Sequence, residues 1–566
     1  MSRNSDVDQA VADLQKGEAV WASLTLGDRR ALLGELVAAT EAQAKRWVDI
    51  ALEIKGLAPD SPLAGEEWIS GPYPVLTGAG ALMASLEALE RGGSPVDGFK
   101  VTEAPGGRRA VHVLPHNAFD WLLLNGFEVE VWTQPGAHPV DVHRSAGLAQ
   151  KTPELTGGVG LVLGAGNIFS IAPLDTLYEL FAHNRVVVLK LNPITDRLLP
   201  VLEEVFAPFI ARDLVRIVRG GADVGTELAQ HPAVTHVHMT GSNITHDAIV
   251  FGPGEAGAAR KAANNPLLTK PMTSELGGVS PTIVLPGKWS ARDLRFQAEH
   301  LVTQKLHNNG YNCVASQVVV LSADWPQKQQ FLNELRWAYD AAPTRTAYYP
   351  GSDVRVASAL ESYPEDNRIG QGVGRHLVTG LSPDRDEDAF RTEYFSPVLG
   401  VTELPGTGLD FLGAAVDLAN NRLTGTLGVN LIAHPKTLRT LGQRFENAIA
   451  NLRYGTVAVN AWTGVGFLTA RASWGAFPGH TVDDVQSGIG VAHNALLIKD
   501  PERTVVRGPF RPSPRSLATG MLTMSPRPPW FVTNRTAAVT GRRLTYFAAR
   551  PRWRSLPAIF ASALRG

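Results

Sequence analysis

Between residues 158 and 239, short runs of β-branched and aliphatic residues alternate with stretches of helical periodicity. The apolar runs are GVGLVLG (158–164), RVVVLK (185–190), LVRIV (214–218) and VTHVHM (234–239). Helices are expected between them, near Pro173–His183, Leu198–Phe206 and Asp223–Gln230. Strands alternating with helices of this length are βαβ units, and right-handed crossovers turn such units into a doubly wound parallel sheet. A sheet of that kind takes ligands at the carboxyl ends of its strands. Whatever else the chain contains has to be arranged around this unit.

Upstream, Gly17 to Gly92 reads as helical, with Leu32, Leu33, Leu36 and Val37 on one face. From Phe127 to His143 the pattern changes. Phe127, Val129 and Val131 alternate with Glu128 and Glu130 up to a break at Pro135-Gly136, which predicts an extended, hairpin-like arm. A chain of 566 residues is too long for one core, and roughly 150 residues per domain gives two or three units. Apolar residues at 44% and charged residues at 19% fit a globular enzyme rather than a disordered or fibrous chain. The N-terminus lacks a basic stretch followed by an apolar one, and no run of about 18 apolar residues occurs, so neither secretion nor a membrane span is expected.

The chain has one cysteine, Cys313, in HNNGYNCVASQ (307–317). One thiol permits no intrachain disulfide and no Cys-based metal cluster, which favours a reducing, cytoplasmic location and no metal. A lone cysteine is usually a small buried hydrophobe. Here Gly310 supplies a turn, and Asn308, Asn309 and Asn312 surround the thiol with dipoles instead of aliphatic packing. A substrate can reach a thiol on such a turn. Upstream, MTSELGGVSPTIVLPG (272–287) places Glu275 before a Leu-Gly-Gly turn that enters an apolar strand, where its carboxylate can polarise a water.

SELGGVSPTIV followed by GYNC resembles the aldehyde dehydrogenase superfamily, with its Glu-Leu-Gly-Gly-Lys-Ser-Pro and Gly-Gln-x-Cys boxes. Further segments align in the same order over almost the whole chain: GNIF (166–169), VVLKLNP (187–193), HMTGSNI (238–244), EYFSPVLGV (393–401), GTVAVNAWTG and SWGAFPG. The departures are Tyr311 in place of Gln and Val279 in place of Lys. In addition, about ten extra residues within FGPGEAGAARKAANNP precede Glu275, and the family's Arg just beyond the cysteine is missing. They mark a divergent, bacterial-type member.

The resemblance implies a Rossmann-type cofactor domain (1–122 and 152–276) and an α/β catalytic domain (277–485). It also implies a β oligomerisation arm (123–151 and 486–520), with 521–566 left as an Arg-rich extension. Cys313 would be the nucleophile, Asn167 an oxyanion donor and Glu275 the base that hydrolyses the thioester. Gly241 and Ser242 would carry the cofactor pyrophosphate, Lys190 the adenosine ribose and Glu393 the nicotinamide ribose, with Phe395 as a wall. The implied reaction is NADP- or NAD-dependent oxidation of a small-molecule aldehyde to the acid in a homodimer or homotetramer, with no nucleic-acid partner. The alternatives are a CoA-acylating dehydrogenase and a catalytically silent binding protein on the same fold. Phe119, Trp121, Phe127, Trp462, Phe467, Trp474 and Phe477 are candidates for an apolar substrate funnel, so a hydrophobic aldehyde is expected.

Two features bear on cofactor choice and assembly. NAD-preferring relatives carry a Glu three residues after the strand-end lysine, where this chain has Pro193. Arg219 follows the strand 214–218 and is a candidate partner for a 2′-phosphate, so NADP is expected to serve at least as well as NAD. Residues 501–566 hold twelve Arg, no Lys or Asp and one Glu. They carry +11, against −12 for the remainder of the chain. This tail is expected to lie across an acidic surface of a partner subunit.

Overall fold

The computed structural model describes residues 5–364, 368–369 and 374–566. Its helical start follows the periodicity of the sequence, with helices Ser5–Ser23, Leu26–Ile54, Ala64–Ser70 and Pro72–Glu90. A capping box between Thr25 and Asp28 fixes where the second begins. Leu32, Leu33 and Leu36 on its inner face are buried in the core of the first sheet.

That sheet is the doubly wound unit. Among the described residues its strand order is Gly488–Ile489, Met272–Leu276, Val234–Gly241, Val159–Leu163, Val186–Lys190 and Val215–Val218. All neighbours are parallel except Gly488–Ile489, which runs antiparallel against Glu275 and Ser274. The chain winds outward from Val159–Leu163 in one direction, then returns to its other side at Val234–Gly241. The switch point therefore lies between these two strands, and a crevice opens beyond their carboxyl ends. Every residue of Val186–Lys190 is buried, as expected of a parallel strand covered on both faces.

The second sheet has eleven strands among the described residues. Its parallel centre includes Ser280–Val284, Ser316–Ser322, Val398–Leu404, Gly428–Ile432 and Thr456–Val459. Pro501–Arg507 continues it in parallel beside Thr456–Val459. An antiparallel meander of Glu128–Thr133, Arg108–Leu114 and Val101–Ala104 then closes that edge.

This edge departs from the sequence reading in two respects. Residues 101–114 leave the cofactor unit and join the second sheet, because Val111 and Val113 bury their side chains beside Val129 and Val131. The strand at 128–133, read as part of an extended, hairpin-like arm, pairs with Arg108–Leu114 and Pro501–Arg507. Helix Pro139–Ser145 then replaces the second half of the expected hairpin.

The Arg-rich extension also packs in cis. Helix Ala537–Ala549 lies against Ala64–Ser70, and helix Leu556–Ala563 joins Met524, Phe547 and Leu123 in a small apolar cluster. Its arginines are met by acids of the same chain: Arg527 by Glu299 at 2.7 Å and Arg550 by Glu41 at 2.7 Å. Just upstream, Arg511 and Arg515 both reach the buried Asp293, at 2.7 and 2.6 Å. Part of the charge asymmetry seen in the sequence is thus paired within the chain. No helix among the described residues is long and apolar enough to cross a membrane.

Candidate active site

The two sheets face each other across a cavity of about 530 Å³. The strand ends of the doubly wound sheet supply one wall through Gly164, Gly166, Asn167, Lys190, Gly241 and Glu275. The second sheet and its loops contribute Cys313, Tyr349, Arg355, Glu393 and Phe395. Eight residues proposed from the sequence therefore meet in one cavity: Cys313, Glu275, Asn167, Lys190, Gly241, Ser242, Glu393 and Phe395.

Arg219 is not brought there. It lies beyond Val218 on the exposed side of the loop and does not line the cavity, whose adjacent wall is formed by Gly221, Ala222, Gly225 and Thr226. A position one residue past a strand end constrains the backbone but not the direction of a long, solvated side chain.

Cys313 sits on a tight turn before the fully buried strand Ser316–Ser322. Asn308 and Asn309 both adopt left-handed backbone angles, φ 52° and 57°, and Gly310 follows at φ 79°. A Cβ on Gly310 would come within 2.8 Å of the Ser396 carbonyl oxygen, so only glycine fits. The loop is braced from below. Glu66 Oε2 accepts the Asn308 backbone N–H at 3.0 Å, and Arg345 pairs with Glu66 at 2.7 Å. Beside them, buried Lys55 pairs with Glu67 at 2.9 Å. Asn167 Nδ2 donates to the Tyr311 carbonyl at 2.9 Å, which ties the oxyanion candidate to the cysteine turn. Tyr311 is fully buried and donates to Ser352 Oγ at 2.7 Å, with its ring beside Tyr349 and Phe395.

The electrostatics follow from burial. Glu275 is almost inaccessible, and desolvation pushes its carboxyl up to about 7, against the opposing influence of Cys313 and Trp474 beside it. Its Oε1 has no hydrogen-bond partner. Burial, with the Glu275 carboxylate beside it, raises the Cys313 thiol well above its ordinary range. Glu393 is pushed up to about 8 by burial and by Glu275, and Lys305 beside it is lowered to about 7 by burial. Glu393 packs so closely on the Leu-Gly-Gly turn that a Cβ on Gly277 would lie 2.0 Å from its carboxylate. The thiol therefore keeps its proton at rest, with the Glu275 carboxyl lining the same cavity.

On the side away from the large cavity, Cys313 also lines a small apolar pocket with Ile69, Ile168, Trp462, Phe467, Leu468 and Trp474. The thiol stands between a polar chamber and an apolar one. Of the expected aromatic funnel, Trp462, Phe467 and Trp474 are in this pocket. Phe119 and Phe127 line cavities further out, Trp121 is 56% exposed, and Phe477 packs under Arg503. Sequence reasoning missed Glu66, Arg345, Asn192 and Arg355. Glu66 and Arg345 lie on a distant helix and loop and carry no local signal, whereas Asn192 stands in the KLNP motif already singled out.

A doubly wound sheet opposed to a second α/β sheet, with one cysteine in the cleft, defines a dehydrogenase-type architecture. The aldehyde dehydrogenase family model matches residues 158–354, which include Cys313, Glu275, Asn167 and Lys190. A Staphylococcus aureus protein provisionally described as an aldehyde dehydrogenase is 25% identical over 304 residues, covering 50% of this chain and 58% of that protein. The chain thus matches little more than half the length of this curated relative. Among solved structures, the γ-glutamyl-γ-aminobutyraldehyde dehydrogenase of Burkholderia cenocepacia superposes with a TM-score of 0.59 at 20% identity, over 89% of this chain and 88% of that one. The NADP-dependent glyceraldehyde-3-phosphate dehydrogenase of Bacillus halodurans, complexed with NADP, gives 0.57 at 16%, over 89% and 91%. Over residues 158–354 the chain is thus similar to the aldehyde dehydrogenase family, and its fold is that of the solved aldehyde dehydrogenases.

Proposed function

We propose that the protein oxidises an aldehyde to a carboxylic acid with a nicotinamide dinucleotide as electron acceptor. The observation that carries this reading is that the Cys313 thiol and the Glu275 carboxyl line one cavity, with Cys313 also lining the apolar pocket beside it. The polar chamber fits a dinucleotide. Gly164, Gly166 and Gly241 leave room for backbone approach, Ser242 begins the helix Asn243–Val250 with its N-terminal N–H groups at the cavity, and Glu393 Oε1 is buried without a partner. Gly241, Ser242, Lys190 and Glu393 would hold the cofactor, with Phe395 as a wall. When bound, the nicotinamide supplies the hydride acceptor.

This chain's residues do the remainder. Glu275 withdraws the thiol proton as Cys313 Sγ bonds to the aldehyde carbon, and Asn167 Nδ2 with the Cys313 backbone N–H faces the developing oxyanion. Once the substrate carbon is oxidised, the acyl group remains on Cys313 as a thioester. Glu275 releases the thiol proton to solvent and, ionised again, takes a proton from the water that attacks the thioester carbon, then returns it to Cys313 as the acid leaves. A carboxylate lining the same cavity as the thiol favours water over CoA as the acyl acceptor.

The surroundings of Lys190 favour NAD over NADP. Asp196 and Asp223 are close enough to act on its charge, and a 2′-phosphate would face both carboxylates without Arg219. The test is turnover of an aldehyde with each cofactor, read at the reduced-nicotinamide absorbance. Oxidation that requires Cys313, with a higher kcat/KM for NAD and a cofactor ratio unchanged in Arg219→Ala, is expected. A ratio that collapses in Arg219→Ala would restore the NADP assignment.

A further inference from the structure

Beyond the apolar pocket at Cys313 lies a second, larger cavity of about 330 Å³. The two share Ile69 and Leu468, so these side chains stand between the pocket at the thiol and the outer chamber. Helix Pro72–Glu90 forms one wall through Leu76 and Ala81. The opposite wall comes from the C-terminal extension, through Met524, Trp530, Leu544, Phe547 and Ala548. Charged groups are confined to one end, where half-buried Asp120 and Arg471 pair at 3.6 Å.

We propose that the extension 521–566 is a substrate-binding wall that turns the site toward aldehydes with a long, unbranched aliphatic chain. The inference rests on the reaction proposed above and adds its substrate class. Cys313 holds the carbonyl end, Ile69 and Leu468 flank the chain, and the outer chamber takes its apolar remainder. An apolar cavity of about 150 Å³ accepts a six-carbon ring, so this one accommodates on the order of ten further carbons. Each methylene buried there is worth roughly a threefold gain in kcat/KM. The extension thus receives a role within one subunit, in place of the contact with a partner subunit expected from its charge.

The experiment uses the full-length protein and two variants that fill the chamber from opposite walls. Ala548→Phe acts from the extension. Gly80→Leu acts from helix Pro72–Glu90, where a new Cβ meets no atom within 4 Å. Thermal melting of each confirms folding. kcat/KM is measured for butanal and decanal, and binding of decanoate is measured by calorimetry without cofactor. The expected result is a wild-type preference for decanal of more than tenfold, a decanal-to-butanal ratio that falls at least tenfold in both variants, and weakened decanoate binding in both. A wild type that prefers butanal, or variants with the wild-type ratio and wild-type decanoate affinity, would overturn the chain-binding role while leaving aldehyde oxidation standing. Decanoate binding that is lost in the variants, with no aldehyde oxidised by the wild type, would support the chamber and overturn the reaction.

Discussion

At neutral pH the Cys313 thiol keeps its proton, and in the proposed reaction its attack requires Glu275 to be ionised. Because the Glu275 carboxyl is raised to about 7, the base form is scarce below that pH and dominant above it. Turnover is therefore expected to rise through about pH 7 and level off. A pH profile that falls across that range would contradict the assignment. Glu275→Gln should remove this limb and slow turnover by about 10² to 10⁴, the usual scale for loss of a general base; steady-state rates of reduced-nicotinamide formation check it. At this scale the sequence was informative wherever a residue lies at the end of a strand. The backbone there dictates direction, so Lys190 and Gly241 could be placed in one cleft, whereas Glu275 was read from the Leu-Gly-Gly turn after it and lies within the strand Met272–Leu276. Arg219 failed because a long exposed side chain is not so constrained. Glu66 could not be found because its partner, the Asn308 N–H, is 242 residues away.

The alternation of strands and helices across 158–239 made the doubly wound sheet legible, and each expected strand has its counterpart there. The edge of the second sheet was less legible. Alternating Val129 and Val131 announce a strand, but which neighbour a strand pairs with is decided by burial in three dimensions. The same holds for the arginines of the tail region, whose charge was evident and whose partners were not. Asp293 links these levels. It closes the capping box of helix Ala291–Leu306 with Ser290 and pairs with both Arg511 and Arg515, and these contacts hold its carboxyl well below the usual range. Asp293→Asn is expected to cost about 1.5–3 kcal/mol, the scale of charged hydrogen bonds, measured by denaturant unfolding. The stability contributed by Asp293 is present above its unfolded pKa near 3.8 and is lost as pH falls below that value.

For the molecule as a whole, the cis packing of residues 521–566 changes what their removal should do. Phe547, Leu556, Ile559 and Ala563 form an apolar cluster with Leu123 and Met524, so the extension is part of the fold. Phe547→Ala should destabilise by about 3–5 kcal/mol. Truncation at residue 520 should lower the melting temperature and expose apolar surface to a fluorescent dye. Unaltered melting would return the extension to a peripheral role. All of this serves one claim, that a single thiol between two chambers carries the acyl group during oxidation. Trapping that group tests it most directly. Wild-type protein is mixed with decanal and NAD, quenched in acid during the first turnover, then digested and analysed by mass spectrometry. The account predicts an added decanoyl mass on the peptide containing Cys313. It is contradicted if that peptide stays unmodified while Cys313→Ser oxidises decanal at the wild-type rate.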